Sequence, residues 1–157
     1  MRLRHLCDVN LHYEGHFHLV RPYGNESGIG WGRGGGTVSG EQVRGEYTWS
    51  NHPRRRGDGM MLPAVRGVVT TSDGAELMLE MSGRTSFGPD GVGHQLMFAL
   101  FESEHPTYAW LNDVVCLAEG RIDPGMKASI ALWLCEPDGA VEAQTSEGRS
   151  STRQAAE

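Results

Sequence analysis

Val65-Arg66-Gly67-Val68-Val69-Thr70-Thr71-Ser72-Asp73-Gly74-Ala75-Glu76-Leu77-Met78-Leu79-Glu80-Met81 is the stretch that decides the fold. Ala75, Leu77, Leu79 and Met81 alternate with Glu76, Met78, Glu80 and Ser82, the period of two that sends successive side chains to opposite faces of a strand. Ser72-Asp73-Gly74 separates this run from Val65–Thr71, and an Asp-Gly pair between two such runs is a hairpin signal. The pattern recurs outward in both directions. Leu11, Tyr13, Phe17 and Leu19 share one parity, with His12, Glu14, His16 and His18 on the other. Ala128, Ile130, Leu132 and Leu134 alternate with Lys127, Ser129, Ala131 and Trp133. Gly88-Pro89-Asp90-Gly91 leads into a strand from about His94 to Glu102, and Asp123-Pro124-Gly125 precedes the last one. No segment keeps apolar residues at the i, i+3, i+4, i+7 spacing of a helix.

Strands arriving every ten or so residues on short turns predict an all-β antiparallel meander, and closing it into a barrel removes its exposed edges. The 157 residues suffice for one domain, placed at 1–136, with a disordered tail at 137–157 whose one aliphatic residue larger than alanine is Val141. Leu96-Met97-Phe98-Ala99-Leu100-Phe101 is apolar on both faces, so the outside of that strand should be covered as well, which predicts a homodimer or higher homo-oligomer. Gly24 to Gly36 holds seven glycines and Trp31 and reads as a flexible loop or a strand full of bulges, open to close backbone approach.

A net charge of −6 argues against nucleic-acid binding, which needs a cationic surface to displace counterions, and Arg54-Arg55-Arg56 is too short to supply one. No run approaches the ~20 apolar residues that span a bilayer, and Met1-Arg2-Leu3-Arg4-His5 lacks the apolar segment of a signal peptide. The expected location is cytoplasmic, with no membrane partner. Cys7, Cys116 and Cys135 are odd in number and far apart, which suggests free, mostly buried thiols.

Gly35-Gly36-Thr37-Val38-Ser39-Gly40, Val43-Arg44-Gly45, Gly57-Asp58-Gly59, Thr71-Ser72-Asp73-Gly74-Ala75 and Tyr108-Ala109-Trp110-Leu111-Asn112 occur in that order. The series resembles the bacterial and fungal family called domain of unknown function 3237, or uncharacterised protein family 0311, over about Arg2 to Glu136. The resemblance implies a small lipocalin-like, calycin-type barrel with an internal pocket, and no established reaction. The chain departs from the family at Gly59-Met60, where an aromatic usually follows, and in the insertion-like Asn51-His52-Pro53-Arg54-Arg55-Arg56.

Asp58 is the first catalytic candidate. At a barrel mouth, desolvated by Trp49, Met60 and Met61, its pKa would rise and it could exchange protons near neutrality; otherwise it is a turn aspartate bonding its own backbone. Glu80 becomes the second carboxylate if its face lines the cavity, and is merely solvated if that face points outward. Tyr108, Trp110 and Asn112 would share a face if extended, joining a hydroxyl and an amide that can hold a carbonyl or enolate oxygen to an indole wall. The competing account is a structural plug. Trp49 offers a second apolar wall. Arg66 could neutralise Asp58 or a substrate carboxylate, and His94 could be a rim acid or base or a plain strand-end residue. His12, His16 and His18 resemble metal ligands, yet a rise of ~3.3 Å per residue spreads them, so a solvated histidine face and no metal is expected.

Together these residues predict a cofactor-free isomerase, cyclase or lyase acting on a hydrophobic, oxygenated small molecule inside the barrel. A non-catalytic carrier or sensor would use the same pocket. An interaction protein with a solid interior is the third reading.

Overall fold

The computed structural model describes residues 1–138. Ten strands form one antiparallel sheet: β1 (Arg2–Val20), β2 (Gly28–Ser39), β3 (Arg44–Asn51), β4 (Arg54–Arg55), β5 (Met61–Leu62), β6 (Ala64–Thr71), β7 (Glu76–Phe87), β8 (Gly93–Glu102), β9 (Cys116–Ile122) and β10 (Lys127–Glu136). β1 pairs with both β2 and β10, and β6 with both β3 and β7, so the eight long strands close into a barrel by nearest-neighbour pairing. The expected meander barrel is therefore the fold. Of the tail placed at 137–157, all beyond Asp138 lies outside the described residues.

The two short strands form a hairpin between β3 and β6. Gly28 of β2 pairs with Arg55, and Met61 pairs with Thr85 of β7, so the hairpin continues the barrel wall past the ends of β3 and β6. Pro53 and Pro63 bracket it, as prolines do where a ladder stops.

Alternation settles which faces look inward. Leu77, Leu79 and Met81 of β7, Met97, Ala99 and Phe101 of β8, and Ile130, Leu132 and Leu134 of β10 are buried, and fill the barrel interior. The Tyr47 hydroxyl crosses this interior and donates to the Leu79 carbonyl at 2.8 Å. At one end a 3₁₀ helix, Ala109–Asp113, closes the barrel with buried Leu111. Tyr108, just before it, donates its hydroxyl to the Asp73 carboxylate in the β6–β7 turn at 3.2 Å. Burial pushes the Cys7 thiol up to about 12 and Cys116 to about 11, so these free cysteines are unreactive packing groups.

The glycine-rich segment divides: residues 24–27 form the turn between β1 and β2, and from Gly28 on it is neither loop nor bulged. It is the regular strand β2, with Gly28, Gly30, Gly32, Gly34 and Gly36 on the inner face. The irregularity sits opposite, in β1: the pairing steps from Glu14↔Arg33 to His18↔Trp31, so β1 carries two extra residues around Gly15, whose φ is 74°. An inner face without side chains accommodates aromatics from its neighbours. A Cβ on Gly32 would stand 2.6 Å from the Tyr13 ring, and one on Gly34 would stand 2.7 Å from the Trp49 ring.

Among the described residues no helix is long and apolar enough to cross a membrane.

Candidate functional site

The interior is solid near the 3₁₀ helix and hollow at the other end. There a cavity of about 180 Å³ is lined by Tyr13, Phe17 and Leu19 from β1, Thr85 and Phe87 from β7, Gln95 from β8, and Arg55 and Met61 from the inserted hairpin, among others. An apolar cavity of ~150 Å³ suffices to hold a benzene ring, so a space of this size takes one ring with a short substituent. The internal pocket expected from the resemblance thus has its counterpart in a small, partly open recess at one end of a barrel whose interior is otherwise packed.

The aromatic wall is built by stacking. Tyr13 meets Phe17 edge-on at a centroid distance of 5.6 Å and Trp49 at 4.7 Å, all seated on the bare inner face of β2. Trp49 is buried beneath Tyr13 and donates its indole N–H to the Gly35 carbonyl at 2.9 Å.

The polar atoms are few and specific. Asn51, buried at the end of β3, accepts from the Ala64 backbone N–H at 3.0 Å through Oδ1 and donates from Nδ2 to the Tyr13 hydroxyl at 2.8 Å. Asn51 thereby occupies a lone pair on the Tyr13 oxygen and leaves the hydroxyl proton free to be given to something else. Burial holds the Tyr13 hydroxyl above its ordinary 10.0, against the opposing pull of the Asn51 hydrogen bond, so it stays a neutral donor. Gln95 donates from Nε2 to Thr85 Oγ1 at 3.3 Å, and its Oε1 is buried with no partner. Arg55 is anchored from outside by Glu26 at 2.5 Å, and its Nε, also buried, has no partner. One unpartnered donor and one unpartnered acceptor thus belong to side chains lining the same apolar cavity, each carrying a desolvation cost of about 1–3 kcal/mol unless met.

The residues singled out from sequence fall elsewhere. Asp58 is at the exposed tip of the inserted hairpin and does not line the cavity; it borders a surface groove with Met60 and Ser86 that shares Arg55 and Phe87 with the cavity wall. It accepts from the Met60 backbone N–H and from Arg56, and these contacts hold its carboxyl below the ordinary 3.8, the reverse of the rise expected for a desolvated acid. The turn-aspartate alternative describes it. Glu80 points outward and pairs with Arg66 at 3.1 Å across β6 and β7, both well exposed, so neither reaches the interior. His94 is exposed on the outer face of β8. Tyr108, Trp110 and Asn112 belong to the plugged end, where Asn112 accepts from the Ser103 N–H at 2.8 Å and donates to its carbonyl at 2.9 Å. The 3₁₀ turn spreads them as the plug reading requires. Trp49 alone touches the cavity wall, as the support under Tyr13. His12, His16 and His18 are exposed, and no group of three or more metal-ligating side chains occurs among the described residues.

Asp58→Asn is accordingly expected to leave ligand affinity and any turnover within about twofold of the unaltered protein, as for most surface substitutions. Parallel titrations at pH 7 decide this, and a tenfold loss would return Asp58 to the site.

The residues that do line the cavity had partial signals. Tyr13, Phe17 and Leu19 were legible as the apolar parity of β1. Asn51, Pro53 and Arg55 lie in the segment marked only as insertion-like. Gln95 had no signal, because a lone amide in an apolar run is ordinary.

No family model matches the chain, and no curated protein does. Solved structures do. A protein of unknown function from Clostridium acetobutylicum is 15% identical, with 87% of this chain and 100% of that one covered at a TM-score of 0.77. A β-barrel-like protein from Acinetobacter baumannii is 16% identical, covering 85% of this chain and 94% of that one at a TM-score of 0.75. An enzyme from Penicillium herquei is 21% identical, covering 86% of this chain and 94% of that one at a TM-score of 0.67. Likeness at these identities establishes a shared barrel fold.

Proposed function

We propose that this barrel is a cofactor-free small-molecule enzyme, an isomerase, cyclase or lyase, whose hydrophobic, oxygenated substrate sits in the cavity bounded by Tyr13, Arg55 and Gln95. The unpartnered Arg55 Nε and Gln95 Oε1 in an apolar enclosure carry the reading. A ligand that satisfies both presents an oxygen acceptor to the arginine and a hydroxyl or N–H donor to the glutamine, with its carbon skeleton against Phe17, Met61 and Phe87. The enzyme from Penicillium herquei supports a catalytic use of this fold, and the resemblance to the domain of unknown function 3237 family supports the lipocalin-like assignment.

In such a complex Arg55 and the Tyr13 hydroxyl hold the oxygen on which negative charge develops; Tyr13 gives that oxygen its proton and takes one back from the substrate hydroxyl as the substrate rearranges, so the phenol is restored and no proton is gained or lost. Gln95 orients the nucleophilic or departing hydroxyl. Exclusion of water and selection of one conformer supply the remaining acceleration. The carrier reading has its own support: among the described residues no carboxylate and no histidine lines the cavity, so it holds no ordinary general base.

Calorimetry with single-ring probes tests the site. 4-Hydroxyacetophenone is expected to bind at least about tenfold more tightly than ethylbenzene, since an unmet buried pair costs that much or more. Arg55→Met together with Gln95→Leu should erase the preference. Equal binding of the hydrocarbon by the unaltered protein, or binding of neither probe, overturns the assignment.

A further inference from the structure

The outer face of β8 is apolar where a solvated barrel wall should be polar. Leu96, Phe98 and Leu100 are 62%, 60% and 47% exposed, and Met78 on β7 and Val115 beside β9 extend the patch at 46% and 42%. Soluble monomers rarely leave contiguous apolar patches of more than a few hundred Å² uncovered. The 19 residues beyond Asp138 offer Val141 and small or polar groups, a poor chemical match for such a surface.

The charges around the stripe identify its occupant. Along the β7–β8 register, Ser82 lies beside the central Phe98, Glu80 beside Leu100, and Arg84 beside Leu96. Two residues farther along β8, Glu102 stands at the Leu100 end and His94 at the Leu96 end, where Arg121 of β9 is its neighbour. One end of the face is thus acidic and the other basic, apart from Glu119 beside Leu96. We infer that a second copy of this chain covers the stripe, through a two-fold axis lying between the two sheets, perpendicular to β8 and passing over Phe98.

That operation lays β8 on β8 head to tail. Phe98 meets Phe98, Leu96 meets Leu100, Glu80 comes opposite Arg84, and Glu102 comes opposite His94 and Arg121. An axis running along β8 instead would pair Arg84 with Glu119 but would set Glu102 against Glu102 and bring no cation to Glu80, so the charges favour the first arrangement. The sheets' own twist rotates the facing strands by about 30° from strict antiparallel alignment. Glu80 then sits between its own Arg66 and the Arg84 of the second copy. The cavity is lined by the opposite, inward-facing parity of the same strands, Thr85 of β7 and Gln95 of β8, so patch and cavity lie on opposite faces of the barrel wall. The inference does not depend on what the cavity binds.

Sedimentation equilibrium of the full chain tests it. The unaltered protein is expected as a dimer at micromolar concentration, and Phe98→Asp as a monomer whose circular dichroism and melting are those of a folded barrel. In an Arg66→Gln background, which leaves no like charge beside position 80, Glu80→Arg and Arg84→Glu should each weaken the dimer by about tenfold, and the double exchange E80R/R84E should restore it to within about threefold, since it rebuilds the same pair with its sense reversed. A monomeric unaltered chain, a dimer that survives Phe98→Asp, or a double exchange no better than its singles overturns the proposal. So does a chain that dimerises only when cut after Asp138, because its own tail would then be the cover.

Discussion

Tyr13→Phe is expected to lower turnover by about 10²–10³-fold while ligand affinity falls by no more than about tenfold, the loss typical of one donor removed from an oxyanion-stabilising group. Asn51 donates to the Tyr13 oxygen at 2.8 Å, so the hydroxyl proton is the part left to act on a ligand. Phenylalanine retains the edge-on contacts with Phe17 and Trp49 and removes only that proton and its oxygen. The variant also strands the Asn51 amide, at a cost of about 1–3 kcal/mol in stability, so rates belong well below the lowered melting temperature. The pH profile adds an independent reading. With its pKa raised above the ordinary 10.0 by burial, the Tyr13 hydroxyl remains protonated through neutrality, and a rate limited by proton donation from it should stay level there and decline only at a more alkaline pH than an ordinary phenol would give. A carrier would show the affinity change and no turnover in either protein. Turnover unaffected by Tyr13→Phe removes the phenol from the mechanism.

The strands were legible because period-two alternation is a local property, and Leu77, Leu79 and Met81 bury themselves as their spacing demands. Barrel closure was legible for a less local reason, the absence of any helix to cover an edge. On β7 the alternation of Leu77, Leu79 and Met81 with Glu76, Glu80 and Ser82 already favours the outward alternative for Glu80, and its pairing with Arg66 across the outside of the barrel agrees. Gly34 marks where that legibility ends. A glycine run carries no hydrophobic signal, so β2 could not be read as a wall, although its emptiness is what makes room for Tyr13 and Trp49. The site therefore lies where three uninformative features converge: a bare strand, a two-residue bulge in β1 and an inserted hairpin. Asp58 drew attention because its glycine flanks resemble a functional bend. Those flanks instead make a hairpin tip, with Gly59 at φ 86° and its N–H donating to the Arg56 carbonyl at 3.0 Å.

Trp49→Ala should be the most damaging single change in the barrel, lowering stability by about 3–5 kcal/mol and abolishing ligand binding together. Trp49 is 3% exposed, and its removal leaves a hole beneath the cavity that the rigid strands cannot close. Gly34 places backbone where a collapsing neighbour would need to move, for a Cβ there would already lie 1.9 Å from the His12 carbonyl oxygen. The hole must then be filled from above, and Tyr13, having lost the ring it stands on, is the side chain free to sink. Its hydroxyl would leave Asn51 and the cavity in the same movement. Trp49→Phe separates the two consequences: the ring contact with Tyr13 persists and only the bond to the Gly35 carbonyl is lost, so stability should fall by about 1–2 kcal/mol with binding retained. Urea denaturation beside calorimetric titration of the same preparations reads both quantities. If Trp49→Ala weakens stability by less than about 1 kcal/mol, or weakens it fully while binding persists, then the indole is not what holds Tyr13 in place.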